Sequence, residues 1–322
     1  MLRCMTAAYI PRPDAAALTR AVTWLSVAVA LTLVVVKLVV WLASGSVALL
    51  ASMADSGLDL IASSATFFAV RYAAAPPDAE HRYGHGKAEA FASLLQAGLV
   101  FASAALIGQE AVGRLIAPRP VFQETWALAA MALSILLTGV LIGAQSYLLR
   151  RASSVAVSSD RTHYAADLAS NVIALAAIGA VALTGLTALD AAGALVVAGI
   201  LLWGAVAVFR EASAQLLDRE LPEPDRRRII ELVLQDATIL DVHQVRTRAS
   251  GPVVHIQMHA DLAPDLTLDA AHRIVVAAER RILGDFPAAD IIIHADPRGR
   301  AEPHGGAFPE TYGAEREDHA DH

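Results

Sequence analysis

The segment ADSGLD, residues 54–59, lies within a long apolar stretch and places two carboxylates, Asp55 and Asp59, four residues apart. A second apolar stretch contains the segment HYAAD, whose ends, His163 and Asp167, have the same spacing. On an α-helix this spacing puts both members of a pair on one face, one turn apart. An ionised carboxylate at membrane depth costs about 2.5–3.5 kcal/mol on insertion scales. We therefore expect a divalent cation, held between the two helices, to compensate these charges.

The composition of the whole chain is typical of a membrane protein. Of its 322 residues, 56% are hydrophobic and 18% are charged, whereas a soluble domain has about 25% charged residues. A spanning helix needs about 20 predominantly apolar residues, and several segments reach that length. We predict an all-α bundle of six spans, at about residues 20–43, 47–72, 89–116, 125–149, 162–183 and 190–210.

The distribution of Lys and Arg predicts the orientation of these spans. Positive residues are frequent before the first span, in the loop after the second, in the segment 150–161 and after the sixth. On the other side we find only Arg114 and Arg119. Because short cytoplasmic loops carry the excess of positive residues, an even number of spans places both termini in the cytoplasm.

After Arg210 the composition changes to that of a soluble α+β domain. Periodicity predicts amphipathic helices at 223–236 and 268–283 and strands at 242–248, 253–262 and 290–295. The resulting αββαβ order indicates a small open sheet with its helices on one face. The predicted domains are an N-terminal leader (1–17), a transmembrane domain (18–212), a cytoplasmic metal-binding domain (213–297) and a disordered tail (298–322).

Further metal-competent side chains occur outside the spans. The loop after the second span has the spacing D-x₂-H-x₃-H, which can bind a metal but also suits a solvated loop with two pH-sensitive histidines. The soluble domain carries scattered His and Asp residues that could converge only if its strands are neighbours. These candidates are Asp78, His81 and His85 in the loop, and His243, His255, His259, His272, His294 and Asp296 in the soluble domain.

The donor set restricts the chemistry. Three carboxylates and one imidazole suit tetrahedral Zn²⁺, although Fe²⁺, Cd²⁺ and Mn²⁺ also accept such ligands.

Other classes of site and partner are excluded by what the sequence lacks. Cys4 is the single cysteine, which excludes an intrachain disulfide and a Cys₄ zinc site. The chain has no basic stripe typical of nucleic-acid binding, no nucleotide-binding P-loop and no familiar hydrolase motif. We therefore expect neither a nucleic-acid nor a nucleotide partner. Without a nucleotide site, transport by this chain would be secondary active rather than driven by ATP, and the missing hydrolase motifs argue against an enzyme.

From about Leu18 to Pro297 the chain resembles the cation diffusion facilitator family, and within it the bacterial zinc and iron efflux branch. The segment 150–161 lacks the His-rich character common in vesicular members, and His163 replaces the Asp typical of manganese transporters. The motifs that carry the resemblance are ADSGLD (54–59), HRYGHGKAE (81–89), HYAAD (163–167), LLDRELP (216–222), RTRASGP (246–252), IQMH (256–259) and IIIHADP (291–297).

The resemblance implies a homodimer in a bacterial inner membrane, with a metallochaperone-like cytoplasmic domain. It implies a salt bridge between Lys87 and Asp218 near the membrane surface, and His259 as the bridge between two cytoplasmic ions. His255 matches no ligand of the family. The implied metal sites are Asp55, Asp59, His163 and Asp167 for transport, Asp78, His81 and His85 in the loop, and His243, His259, His272, His294 and Asp296 in the cytoplasmic binuclear site.

The functional hypothesis is efflux of Zn²⁺ from the cytoplasm in exchange for protons, with zinc both as transported ion and as structural ion. Efflux of Fe²⁺, Cd²⁺ or Mn²⁺ by the same mechanism is an alternative. A second alternative is a membrane metal sensor that transports nothing. Such a sensor would not need Asp55, Asp59 and Asp167 within its spans.

Overall fold

A computed structural model of the chain describes residues 13–44, 47–116, 125–150, 154–184 and 188–299. The chain divides into two compact units, one formed by residues 12–216 and one that begins at Leu217. The predicted leader lies largely outside the described residues, as does the predicted tail from residue 300 onward. The predicted domain boundary at residue 212 falls inside the last helix of the first unit, which continues to Leu216.

The first unit contains six long helices among its described residues. They are α1 (Pro13–Ser44), α2 (Val47–Ala73), α3 (Ala88–Ile116), α4 (Thr125–Leu149), α5 (Val155–Thr184) and α6 (Ala188–Leu216).

Four of these helices are long and apolar enough to cross a membrane, by length and composition within the described residues: α1, α3, α4 and α6. The other two, α2 and α5, have lengths of 27 and 30 residues. They also carry the ionisable groups of the predicted transport site, which lower their hydropathy. The prediction of six spans is thus supported for four helices, and for α2 and α5 it is a proposal.

A buried carboxylate on α5 joins four helices. Asp160, only 1% exposed, accepts hydrogen bonds from Gln145 Nε2 on α4 at 2.7 Å and from Gln96 Nε2 on α3 at 3.2 Å. It also accepts one from Ser63 Oγ on α2 at 3.4 Å, and that hydroxyl lies 2.8 Å from Tyr164 Oη. Because buried polar groups must be paired, this network fixes α2, α3 and α4 against α5.

A second buried carboxylate stabilises the beginning of α5. Glu89, 3% exposed on α3, accepts hydrogen bonds from Ser154 Oγ at 2.7 Å and from the backbone N–H of Ala156 at 3.4 Å. The first N–H groups of a helix lack intrahelical partners and favour negative charge nearby. Glu89 therefore anchors the end of α5 that precedes His163.

The second unit is a three-stranded sheet with two helices. Its elements are α7 (Glu223–Leu234), β1 (Asp241–Ser250), β2 (Val253–Leu262), α8 (Leu268–Asp285) and β3 (Ala289–Pro297). The strands have the order β1-β2-β3, with β1 antiparallel and β3 parallel to β2. Gly251, with φ of 56°, forms the turn between the first two strands at the predicted position. The predicted αββαβ order is confirmed.

The alternation along β2 builds the core of this unit. Val254, Ile256, Met258 and Ala260 are at most 2% exposed, as expected for one face of a strand that is covered by helices. They pack with Ile229 and Val233 of α7 and with Ala278 and Ile282 of α8. The opposite face of β2 carries polar side chains, among them His255 and His259.

Candidate metal centres

Three of the four predicted transport ligands meet between α2 and α5. The Nε2 atom of His163 lies 2.9 Å from Asp59 Oδ1 and 3.4 Å from Asp167 Oδ2. Ligand atoms of all three residues lie within 4.8 Å of one another. Asp59 and His163 are 9% and 7% exposed, so two carboxylates and an imidazole converge in a buried position where an unpaired charge is costly. This is a suitable set of donors for a divalent cation.

Asp55 lies outside that group of three. It is one helical turn before Asp59 on α2, and its side chain is exposed in the isolated chain. Assignment of Asp55 as the fourth ligand remains a prediction from the sequence.

The loop between α2 and α3 forms a second cluster from Asp78, His81 and His85. Asp78 Oδ1 lies 3.2 Å from His81 Nδ1, and Asp78 Oδ2 lies 3.2 Å from His85 Nε2. The two imidazole rings are 4.6 Å apart. One carboxylate thus holds both histidines on one side of the loop, where a single ion can contact all three.

Backbone hydrogen bonds and a turn in the loop hold the residues of this cluster in position. The backbone N–H groups of His81 and Glu80 donate to Asp78 Oδ1 at 2.6 and 2.9 Å. The hydrogen bond from His81 N–H lowers the pKa of Asp78, which keeps the carboxylate ionised and able to bind a cation. Gly84, with φ of 79°, makes the turn that returns the chain to His85.

The sheet of the second unit forms a third cluster. His243, His259 and Asp296 offer ligand atoms within 4.8 Å of one another. Asp296 Oδ2 lies 2.8 Å from His259 Nδ1 and 3.5 Å from His243 Nε2. Its second oxygen, Oδ1, lies 3.2 Å from His294 Nε2. The family resemblance implies a bridging role for His259, and this geometry makes the carboxylate of Asp296 a second group able to contact two ions.

Strand register explains how these histidines converge. His243 pairs with His259 across β1 and β2, and His259 pairs with His294 across β2 and β3. A bulge follows His243, where Gln244 adopts a φ of 48°. The extra residue changes which side chains of β1 face β2 on either side of it. The three imidazoles therefore form a row across the sheet.

Two other histidines of this unit, the predicted ligand His272 and the excluded His255, lie apart from this row. His272 is exposed on α8 and does not belong to the cluster, so its assignment as a ligand remains a prediction. His255 pairs instead with Asp290, at 3.1 Å between Nδ1 and Oδ2, in agreement with its exclusion from the expected ligand set.

The expected pair of Lys87 and Asp218 would join the two units of the chain and remains a prediction. Within the first unit, Lys87 Nζ donates to the carbonyl oxygen of Leu216 at 3.4 Å. Within the second, Asp218 Oδ2 lies 3.1 Å from Arg248 Nη1.

Two carboxylates near these clusters were not among the predicted site residues. Asp160 precedes His163 by three residues, but its partners come from other helices, so no local spacing identifies it. Asp261, whose Oδ1 lies 3.8 Å from His243 Nδ1, occupies the same face of β2 as His259. The alternation along β2 could have indicated that Asp261 supports a neighbouring ligand.

Comparison with known families matches most of the chain, in two segments. The family described as the cation efflux transmembrane domain matches residues 23–217. The family described as the cation efflux protein cytoplasmic domain matches residues 221–298. The two matches meet close to Leu217, where the second compact unit begins.

Individual relatives cover most of the chain. A protein named cation-efflux pump FieF from Shewanella oneidensis is 39% identical over 84% of this chain and 92% of its own length. Proteins of the same name from Salmonella arizonae and Yersinia enterocolitica are 36% and 35% identical, over 84% and 88% of this chain and 90% and 95% of their own lengths. A solved structure of CzrB in its zinc form is 29% identical, covers 26% of this chain and 98% of that one, and has a TM-score of 0.25.

Proposed function

This chain belongs to the cation efflux family, and on that premise we propose that it exports Zn²⁺ from the cytoplasm in exchange for protons. The similar proteins are named cation-efflux pumps, and we infer that this chain is a multi-pass transporter of divalent metal cations in a bacterial inner membrane rather than an enzyme. To cation efflux, the proposal adds zinc as the metal, protons as the counter-ion and a cytoplasmic location for both termini.

The convergence of Asp59, His163 and Asp167 carries the proposal. These residues come from two helices, so a relative movement of α2 and α5 changes the distance of 2.9 Å between His163 Nε2 and Asp59 Oδ1. Such a movement would assemble the site in one conformation and open it in another. A site of this kind, buried between helices, can bind an ion from one side of the membrane and release it to the other.

Proton exchange follows from the chemistry of the ligands. Imidazole and carboxylate must be deprotonated to bind a metal, so protons and metal compete for the same atoms. When the site faces a compartment of lower pH, protonation of the ligands favours metal release. Each proton that enters gains about 2.3 kcal/mol per 100 mV of membrane potential, while export of the divalent ion works against the same field.

The cytoplasmic cluster supports a separate structural role for zinc. An ion bound by His243, His259 and Asp296 would link β1, β2 and β3 and stabilise the folded domain. We propose that this metal stabilises a homodimer of the cytoplasmic domains. The exposed position of His272 on α8 makes it available to a second copy of the chain.

The purified full chain in liposomes provides the direct test. Vesicles with an acidic interior should accumulate Zn²⁺ faster than vesicles without a pH gradient, and protons should be released to the external medium as zinc enters. The same assay with Fe²⁺, Cd²⁺ and Mn²⁺ identifies the preferred metal. Zinc uptake that is independent of the gradient would rule out proton exchange, and uptake no faster than in empty vesicles would rule out transport.

A further inference from the structure

A small cavity lies beside His163. Its volume is about 10 Å³, close to the smallest volume that can hold one water molecule. The wall comes from α3, α5 and α6 and is built mainly from apolar or small residues such as Val100, Ala166 and Gly204. Four polar side chains interrupt this wall. Thr162 Oγ1 already donates to the carbonyl oxygen of Ser158 at 2.9 Å, and the other three side chains are those of Gln96, Ser159 and His163.

Each of these three side chains has a buried polar atom without a hydrogen-bond partner in the protein: Gln96 Oε1, Ser159 Oγ and His163 Nδ1. The residues are 2%, 3% and 7% exposed. A buried polar atom left unpaired costs about 1–3 kcal/mol. Three such atoms around one cavity indicate a shared polar partner within it.

The neighbouring contacts fix the orientation of two of these groups. Gln96 Nε2 donates to Asp160 Oδ1 at 3.2 Å, and because a carboxylate only accepts, the amide nitrogen must face Asp160. The amide oxygen of Gln96 is then the atom left for the cavity. Likewise, His163 Nε2 faces Asp59 and Asp167, so Nδ1 is the nitrogen left for the cavity.

We propose that this cavity binds one structural water molecule, which sets the tautomer of His163. The water accepts the Nδ1–H of His163 and donates its two protons to Gln96 Oε1 and Ser159 Oγ. Three hydrogen bonds are the usual number for a buried water. With Nδ1 protonated, the lone pair of Nε2 is available to the metal, as in other sites where a histidine ligand donates its second N–H to an outer partner.

Gln96 and Ser159 are therefore positioning residues that act on the metal through a water molecule and His163. This inference rests on the proposed function in one respect, namely that Nε2 of His163 binds the transported ion. It adds a role for two residues that offer no ligand atom themselves. It also links the site to Asp160, which holds the amide of Gln96 in the required orientation.

The substitution Ser159→Ala tests the inference because it removes one partner of the water and leaves the bond between Gln96 and Asp160 intact. Ser134→Ala is a matched control. Both serines are 3% exposed, but Ser134 Oγ donates to the carbonyl oxygen of Ala130 in its own helix at 2.9 Å. Loss of that local bond should change stability without changing the metal site.

The primary measurement is nitrogen NMR of the full chain in liposomes, labelled with ¹⁵N-histidine and saturated with zinc. The His163 signals are identified from their loss in His163→Ala. We expect Nδ1 to carry the proton and to show transfer to a water proton. In Ser159→Ala the Nδ1 resonance should move, and in Ser134→Ala it should not.

Zinc transport in the same vesicles provides the second measurement. Loss of an outer partner of a metal ligand typically weakens binding by about 10- to 100-fold, so Ser159→Ala should raise the half-saturating zinc concentration about tenfold. Protonated Nε2, or Nδ1 without water contact, in a wild-type protein that transports zinc would overturn the inference and leave the proposed function intact. Wild-type vesicles that do not transport zinc would instead overturn the function, and the NMR result would then decide the water site alone.

Discussion

His163 Nε2 lies 2.9 Å from Asp59 Oδ1, although 104 residues separate the two positions in the chain. The contact joins α2 and α5, the two helices that carry the predicted transport ligands. A buried imidazole beside two carboxylates is a binding position for a divalent cation or for the protons that replace it. Substitutions at this contact, and changes of pH, can test metal selectivity, proton exchange and the need for each ligand.

Substitution of His163 by Asp should change the metal preference. An all-oxygen donor set suits harder cations such as Mn²⁺ better than a set that includes imidazole. We expect His163→Asp to lower zinc uptake at least tenfold and to raise the ratio of Mn²⁺ to Zn²⁺ uptake in liposomes. The same substitution in the loop, His85→Asp, is the control and should leave the ratio unchanged. An unchanged ratio in His163→Asp would show that this imidazole does not select the metal.

The loop cluster should bind one zinc ion per chain independently of transport ligands. We expect His81→Ala combined with His85→Ala to lower the bound zinc by about one ion per chain, measured by elemental analysis after equilibrium dialysis. Glu80→Gln is the control because its carboxylate is exposed in the same loop and lies outside the cluster. Equal zinc contents in the double variant and wild type would show that the loop holds no stable ion.

Zinc should stabilise the cytoplasmic unit through His259 and Asp296. A ligand present at 100 times its Kd stabilises a fold by about 2.7 kcal/mol, which for a domain of this size raises Tm by roughly 10 °C or more. We expect His259→Ala to abolish most of this zinc-dependent increase in the full chain, measured by differential scanning fluorimetry. His255→Asn should retain it, because His255 pairs with Asp290 outside the cluster. A full zinc-dependent increase in His259→Ala would contradict the site.

Proton competition predicts the direction of the pH dependence of transport. Lower pH protonates the imidazole and the carboxylates, so the half-saturating zinc concentration on the uptake side should rise as that side is acidified. If two protons leave per zinc bound, the rise approaches 100-fold per pH unit once all ligands titrate, and for one proton it approaches tenfold. Initial rates of zinc uptake at several external pH values provide the measurement. A constant half-saturating concentration would contradict competition at the site.

Local periodicity accounts for the parts of the structure that the sequence predicted well. The spacing of four residues between His163 and Asp167 placed them on one face of α5, and alternation along β2 separated the core residue Ile256 from His259. These patterns depend only on 3.6 residues per helical turn and two residues per strand repeat. These patterns do not depend on contacts with other segments of the chain.

The features that sequence reasoning missed depend on contacts between distant segments. Asp160 is paired by Gln96 and Gln145, which lie 64 and 15 residues away along the chain, and no motif relates them. The bulge at Gln244 has a positive φ without the glycine that usually indicates one. Asp296 was an expected ligand, but its position between His259 and His294 follows from a parallel register that the sequence does not specify.

Zinc uptake by carboxylate variants tests most directly whether Asp59, His163 and Asp167 hold the transported ion. Asp59→Asn and Asp167→Asn keep the size of each side chain and remove its charge. Glu110→Gln removes an exposed carboxylate from α3 that pairs with Arg114, one helical turn away, at 3.0 Å, and it serves as the control. We predict that both Asp variants reduce uptake into proteoliposomes to the level of empty vesicles, at least 100-fold below wild type, while Glu110→Gln transports normally. Wild-type rates in folded Asp59→Asn and Asp167→Asn would contradict the account.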